Sequence, residues 1–455
     1  MKDELKENQI EILIEDIGDD GEGIGRHEGM TVFVEGALPG DRVLCTIDKQ
    51  KKNFAKAKVD QIIAFSKERV KAPCPVYSLC GGCQIQDLSY SAQLKLKENM
   101  VINTLKRVGH ISDVVVSPII GMKDAFRYRN KGTYPVQGTH EQPMIGFYKK
   151  HSHSVVDVKD CLLQDAKNEA IIATIRKYMK DFKVSPFNPK RGDGVIKNIM
   201  IRKSDATGEF MVVIVTNGRK LAMTKTLVNL LTAAEPKIVS IIQNIHSGQS
   251  VKGLGDEMKL LYGKETIRDA IGGLWFDISS RSFYQVNAKQ TEILYSKVLE
   301  FANLSGEENV VELYSGTGTI SMFLAKKAKH VYGIEIVGDA IEDANKNAAV
   351  NQIENVSFIM GNAEEEIEKL YSEGHEADVI VVDPPRAGCD SKVIETMLKL
   401  APKRIVYVSC KPSTLARDLK MLCDAGDYVI ENVQPIDVFG HTVHVETVVS
   451  LSKVK

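Results

Sequence analysis

The run Asn309-Val310-Val311-Glu312-Leu313-Tyr314-Ser315-Gly316-Thr317-Gly318-Thr319 constrains this chain more than any other stretch. An apolar strand turns there through two glycines into a helical segment, Ile320 to Lys327. Beyond it a second strand, Val331-Tyr332-Gly333-Ile334-Glu335, ends in an acid. This is the β-α-β opening of a doubly wound sheet: the glycines let a ligand approach the backbone closely, and the acid can bond both hydroxyls of a ribose. The loop lacks the full phosphate-cradling G-x-G-x-x-G, which fits a nucleoside cofactor without pyrophosphate, such as S-adenosylmethionine. A nucleotide-binding sheet of another kind begins the same way and stays open at this point.

Two further strands bring chemistry to the same edge. Asp378-Val379-Ile380-Val381-Val382-Asp383-Pro384-Pro385-Arg386 delivers Asp383, and Arg404-Ile405-Val406-Tyr407-Val408-Ser409 delivers Cys410, with Pro412 opening the next helix. A thiol held where a strand stops can attack an electron-poor carbon if a base is at hand for a later step. It can equally be an inert strand-end cysteine. Methyltransferases of exocyclic amines carry an aromatic residue after the paired prolines, where this chain has Arg386. DNA cytosine-C5 enzymes carry their cysteine directly after that motif's proline, whereas here the thiol comes one strand later.

A chain of 455 residues predicts two to four domains. Its charged N-terminus and the lack of any apolar run of about 18 residues predict a cytoplasmic protein with no membrane partner. Its eight cysteines are then expected to be reduced, metal-bound or catalytic. The net charge of -1 advertises no nucleic-acid partner, but the charge is unevenly spread. Residues 1–40 hold three Lys/Arg against eleven Asp/Glu, and residues 41–71 hold nine against four. Such a basic strip suits phosphate contacts, or simply a solvated face.

Up to about residue 70, short β-like runs separated by Gly-rich turns predict a small OB-like β-barrel. Next, Cys74, Cys80 and Cys83 crowd around Gly81-Gly82, and Cys161 lies far downstream. Four thiolates suit tetrahedral zinc or an iron–sulfur cluster, and the spacing does not choose between them. From Tyr90 to about Val116 an amphipathic helix is expected, with Leu94, Met100, Val101 and Leu105 inward. In Phe126-Arg127-Tyr128-Arg129-Asn130-Lys131 the three cations alternate as one strand face would, which suggests a grip on RNA phosphates or a solvated edge. Alternating strands and helices then predict an α+β domain.

Several of these segments carry a resemblance. Gly23-Ile24-Gly25-Arg26, Val32-Phe33-Val34, Ala37-Leu38-Pro39-Gly40-Asp41 and Lys51-Lys52-Asn53-Phe54-Ala55-Lys56 resemble, in order, a TRAM domain, a small RNA-binding barrel. Lys51, Lys52, Phe54 and Lys56 would there supply charge and one stacking ring. Phe283-Tyr284-Gln285-Val286-Asn287, Glu312-Leu313-Tyr314-Ser315-Gly316-Thr317-Gly318, Asp383-Pro384-Pro385-Arg386, Ser409-Cys410-Lys411-Pro412 and His444-Val445-Glu446-Thr447 resemble the RNA 5-methyluridine methyltransferase family. With the TRAM-like start and four cysteines, the likeness is greatest to enzymes that modify large-subunit (23S) ribosomal RNA. Transfer-RNA relatives usually lack both features.

The resemblance implies an α/β chain in three parts: a TRAM barrel over 1–70, a central α+β domain with the cysteine site over 71–270, and a Rossmann-like class I methyltransferase over 271–455. It implies a 4Fe-4S cluster on Cys74, Cys80, Cys83 and Cys161, and a monomer acting on structured ribosomal RNA. Cys410 would add to uracil C6, and Glu446 would remove the C5 proton. Gln285, Tyr314, Glu335, Asp383 and Asn362 would contact S-adenosylmethionine, and Phe283 and His441 would stack on the target base. Ser315, Thr319 and Lys411 depart from residues common in the family. A cytosine-C5 RNA methyltransferase is disfavoured because it would carry a second cysteine at the Asp-Pro-Pro position. An RNA-binding protein with a degenerate methyltransferase fold is the non-enzymatic rival.

Overall fold

The structure, a computed structural model, describes residues 8–251, 253–424 and 426–454. The chain starts as a closed barrel of β1 (Gln9–Ile17), β2 (Gly23–His27), β3 (Met30–Glu35), β4 (Arg42–Gln50) and β5 (Phe54–Ala64), in the order β1-β2-β3-β5-β4. Alternation fills it: Ile10, Ile12 and Ile14 point inward from β1 and meet Val32, Val34, Val43 and Ala57. Gly25 is required on β2, because a Cβ there would sit 2.5 Å from the Leu13 carbonyl oxygen. One rim of the barrel is not free. Ile17 and Leu38 share a core with Ile85, Val443 and Val445 of later segments.

Helix α1 (Tyr90–Arg107) follows, capped by the Ser89 hydroxyl, which accepts from the Ala92 N–H at 3.3 Å. Met100, Val101 and Leu105 are buried as expected, while Leu94 is only half-buried and Leu96 and Lys97 lie inside instead.

The central sheet uses β6 (Lys131–Gly138), β7 (Pro143–Tyr148), β8 (Val155–Asp157), β9 (Ile196–Lys203), β10 (Phe210–Thr216), β11 (Ile238–Ile245) and β12 (Glu257–Gly263), in the order β12-β11-β10-β9-β6-β7-β8. Helices α2 (Asn168–Asp181) and α3 (Thr224–Ala234) cover one face. On the other face Met200, Met211, Val213 and Val215 pack with the hairpin β13 (Thr266–Ile271) and β14 (Leu274–Ser279). Burial on both faces explains why Phe210–Thr216 reads as one apolar run rather than as an alternation.

The last sheet comprises β15 (Asn309–Leu313), β16 (His330–Glu335), β17 (Val356–Met360), β18 (Val379–Val382), β19 (Arg404–Ser409), β20 (Tyr428–Ile436) and β21 (Glu446–Lys453). Its order is β17-β16-β15-β18-β19-β21-β20, parallel except where β21 runs against β19 and β20. One face packs against α4 (Ala288–Ala302), α5 (Thr319–Ala325) and α6 (Gly338–Val350). The other packs against α7 (Ala363–Ser372), α8 (Ser391–Leu400), α9 (Pro412–Asp424) and α1. The strand order reverses at β15 and β18, whose carboxyl ends therefore open a crevice suited to a ligand. No helix among the described residues is long and apolar enough to cross a membrane.

Candidate active site

Cys410 follows β19, and Pro412 begins α9 where a missing N–H costs nothing. The Ser409 hydroxyl accepts from the Lys411 N–H at 3.1 Å, which tightens the turn between them. The β19/β21 ladder ends with Ser409 paired to Thr447, so Cys410 and Glu446 come next at that end, where the Glu446 charge acts on the Cys410 thiol. Asp383 stands at the end of the adjoining strand β18.

These three groups crowd one another. Burial pushes the Asp383 carboxyl up to about 7. Burial, then Asp383, pushes Glu446 to about 8, against the pull of Arg386. Burial, then Glu446 and Asp383, pushes the Cys410 thiol to about 11, again opposed by Arg386. Without ligands the site thus favours a protonated thiol and disfavours a second negative charge. Arg386 is the cation whose charge acts on Cys410 and Glu446, and its Nη2 lies 3.1 Å from His444 Nε2. His444 is pushed down to about 4 by burial and by Arg386, so Nε2 accepts and the ring is neutral. The sequence signal for this pair was Arg386 where an aromatic might have stood, together with a histidine two residues before Glu446.

The glycine loop lies beside them. Tyr314 has φ of 66°, a strained value for a non-glycine residue and one that tends to mark ligand sites. Gly318 has φ of 74°, and a Cβ there would meet the Phe358 ring at 2.4 Å. Glu335 accepts from the Gly316 N–H through Oε2 at 3.0 Å and from the Val337 N–H through Oε1 at 2.9 Å. Each oxygen keeps lone-pair capacity for a ribose hydroxyl. Asn362, exposed, caps α7 next to Gly361, whose N–H bonds the Glu335 carbonyl at 3.0 Å. The Thr317 hydroxyl bonds the Phe283 carbonyl at 3.3 Å, laying the Phe283–Gln285 segment along the loop. Of the residues expected to contact the cofactor, Tyr314, Glu335 and Asp383 follow or end strands β15, β16 and β18, Asn362 follows β17, and Gln285 lies in the segment tied to the glycine loop through Thr317. The sequence reading missed the exposed side chains of Ile336 and Met360, which offer flat apolar cover beside Glu335.

The crevice also fits a nucleoside cofactor by two local features. The Ser315 hydroxyl is buried without a hydrogen-bond partner, and a Cβ on Gly316 would meet nothing within 4 Å. A polar ligand over this loop would satisfy the first and occupy the second.

Of the two stacking candidates, Phe283 is 68% exposed but His441 is not available. Its ring lies on Phe126 at 4.2 Å, its Nδ1 is 3.1 Å from Gln93 Nε2, and it is buried. The expectation that His441 stacks on a base is therefore corrected: the ring is committed to anchoring the loop before β21.

The row of cations is corrected as well. Arg127 has φ of 54° and sits before β6, outside any strand. Its guanidinium holds Asp160 with two bonds of 2.6 Å and donates to the Cys161 and Gln164 carbonyls. Arg129 and Lys131 line a cavity of about 420 Å³ together with Cys74, Cys80, Cys83 and Cys161. Among the described residues no group of three or more His, Cys, Asp or Glu side chains is gathered so as to hold a metal ion, so the four-cysteine site expected from the sequence is not shown as a formed metal centre. In the barrel, Lys51 Nζ lies 5.5 Å from the Phe54 ring centre, and Phe33 meets that ring edge-on at 5.7 Å.

Comparison with known proteins agrees with this architecture. Residues 255–454 match the family described as tRNA (uracil-5-)-methyltransferase, and residues 7–59 match the TRAM domain. An uncharacterized RNA methyltransferase of Halalkalibacterium halodurans is 45% identical over 98% of this chain and 97% of its own length. Another, of Clostridium acetobutylicum, is 45% identical over 99% and 98%. The crystal structure of Pyrococcus abyssi tRNA (uracil-54, C5)-methyltransferase in complex with S-adenosyl-L-homocysteine superposes with a TM-score of 0.78 at 28% identity, covering 97% of this chain and 100% of that one. The chain belongs to the TRAM-containing family of S-adenosylmethionine-dependent RNA uracil-C5 methyltransferases.

Proposed function

We propose that this protein methylates uridine C5 in large-subunit (23S) ribosomal RNA through a covalent bond between Cys410 and uracil C6. The observation that supports the mechanism is that the β19/β21 ladder ends at Ser409 and Thr447, with Cys410 and Glu446 next at that end and Asp383 at the end of the adjoining strand β18. S-adenosylmethionine supplies the methyl group, and Gln285, Tyr314, Glu335, Asp383 and Asn362 hold it. Uracil C5 is too weak a nucleophile to take that methyl unaided. The Cys410 thiolate forms a bond to C6, and the electron pair of the C5–C6 double bond moves toward C5 and the O4 carbonyl. C5 then bonds the methyl carbon while the sulfonium C–S bond breaks. Glu446 takes the C5 proton, the C5–C6 double bond re-forms and the C6–Sγ bond breaks. Arg386, held by His444, is the cation that favours the thiolate.

We infer further that Cys74, Cys80, Cys83 and Cys161 hold a 4Fe-4S cluster. All four line one cavity of about 420 Å³. Burial raises the Cys80, Cys83 and Cys161 thiols, so thiolates persist there only beside a compensating cationic centre. When bound, the cluster ties the 74–83 loop to Cys161. The Gly82 N–H and Gln86 Nε2 already point at sulfur, at 3.4 Å from Cys80 Sγ and 3.7 Å from Cys83 Sγ.

A second reading, transfer RNA as substrate, has a specific observation in its favour. The Pyrococcus abyssi protein is a tRNA enzyme by its name and aligns along its entire length, so the whole arrangement of this chain does not belong to ribosomal RNA enzymes alone. The test is incubation with tritiated S-adenosylmethionine and unmodified 23S ribosomal RNA beside transfer RNA, followed by mass identification of the labelled nucleoside. 5-Methyluridine in ribosomal RNA is expected. Label in transfer RNA alone would transfer the assignment, and label in neither would remove the catalytic reading.

A further inference from the structure

Arg129 and Lys131 stand in the wall of the cysteine cavity, and a third cation backs them. Across the β6/β9 ladder Lys131 pairs directly with Arg202, which is 2% exposed. Like charges opposite one another in a ladder repel, and the repulsion grows where water is excluded. Among the described residues no carboxylate forms an ion pair with Arg129 or Lys131; the charges that act on Lys131 are those of Arg202 and Arg129. Arg202 itself is not in the cavity wall: its Nη2 donates to the Ser282 carbonyl, and its Nε is buried without a hydrogen-bond partner. An anion in the space that Arg129 and Lys131 face would offset this repulsion.

We propose that Arg129 and Lys131 are the built-in countercharge of an anionic iron–sulfur cluster in this cavity and that they raise its reduction potential. The inference rests on the cluster reading given above. A cubane core bound by four thiolates carries net negative charge in its oxidised form and one more negative charge after taking up an electron. Fixed cations beside it therefore stabilise the reduced form more than the oxidised form, since potential follows net charge and the hydrogen bonds to sulfur. Arg129 and Lys131 line the cysteine-bearing space, whereas Lys51 and Phe54 belong to the barrel.

The test is potentiometry on anaerobically prepared, iron-loaded full-length protein, with R129Q and K131Q beside the charge-retaining R129K and K131R. At a fixed potential each neutral variant should shift the ratio of oxidised to reduced cluster at least tenfold toward oxidised, equivalent to about 59 mV for one electron. The charge-retaining variants should stay within twofold of the parent. Release of iron to a ferrous chelator gives a second readout, expected to be at least tenfold faster in the neutral variants and unchanged in the others. A parent protein that takes up no iron would overturn the cluster reading and this inference together. Iron-loaded variants whose potential and iron release match the parent would overturn this inference alone. If the neutral variants instead lost RNA affinity with a shallower salt dependence while the cluster was unmoved, the cations would belong to an RNA site, and the inference would fall.

Discussion

Lys97 on α1 donates to Asp437, in the segment between β20 and β21, at 2.5 Å, and both side chains are fully buried. The same lysine donates to the Phe439 carbonyl at 3.0 Å, and the Tyr90 hydroxyl gives Asp437 a second bond at 2.8 Å. This pair fastens the loop that leads into Glu446 onto a helix from the other end of the chain. Gln93 reinforces it from the same helix, accepting from the His441 N–H at 3.0 Å. Gln84 and Ile85, just after Cys83, donate to the His441 carbonyl. The loop that precedes Glu446 is thus held from both sides by residues outside the sheet that carries it.

Removing one partner of this pair leaves a buried charge uncompensated. K97M is expected to destabilise the protein by about 3–5 kcal/mol. The double variant K97M/D437N should recover much of that loss, since neither charge then remains. Denaturant unfolding checks both, and a K97M protein as stable as the parent would remove the pair from the account.

Cys410 and Glu446 should separate by the step at which each fails. C410A should lower turnover at least a thousandfold while S-adenosylmethionine still binds, as the proposed covalent role of the thiol requires. E446Q should also lose turnover but should accumulate a protein–RNA adduct that survives denaturing electrophoresis. C410A should form none. An adduct in C410A, or its absence in E446Q, would move the nucleophile or the base elsewhere.

The pH dependence of stability has a definite sign at this site. Glu446 sits at about 8 against an ordinary 4.5, and Asp383 at about 7 against 3.8. Between these limits the folded protein binds more protons than the unfolded chain. The pair therefore costs nothing below about pH 4, and stability falls as pH rises through the window up to about 8. E446Q should melt progressively higher than the parent as pH goes from 5 to 8.5. A constant difference in Tm across that range would show that burial does not govern this carboxyl.

A sulfonium ion placed beside Asp383 should pull both carboxyls down. Binding of S-adenosylmethionine near pH 7.5 is then expected to release more protons than binding of S-adenosylhomocysteine, which lacks the positive sulfur. Calorimetry in two buffers of different ionisation enthalpy reads the difference directly. Equal release would separate the cofactor charge from the site.

The apolar strands ending in Glu335, Asp383 and Cys410 were legible in the sequence because a parallel sheet buried on both faces must be written as continuous apolar runs, and its carboxyl edge collects whatever follows them. The glycine loop was legible for a similar local reason: only glycine takes φ of 74° at Gly318 without strain. The barrel showed in its short β-like runs between Gly-rich turns. The tertiary structure alone decided which charges and rings were free. Arg127 read as a phosphate grip, yet it closes on Asp160; His441 read as a stacking ring, yet it lies on Phe126. It also decided that the Lys97 ammonium, which a sequence would place in water, is buried against Asp437. Local propensity depends on neighbours in the chain and can be read from them. Whether a side chain is spent depends on partners hundreds of residues away, which only the packing of α1 and the cysteine loop against the catalytic loop brings within reach.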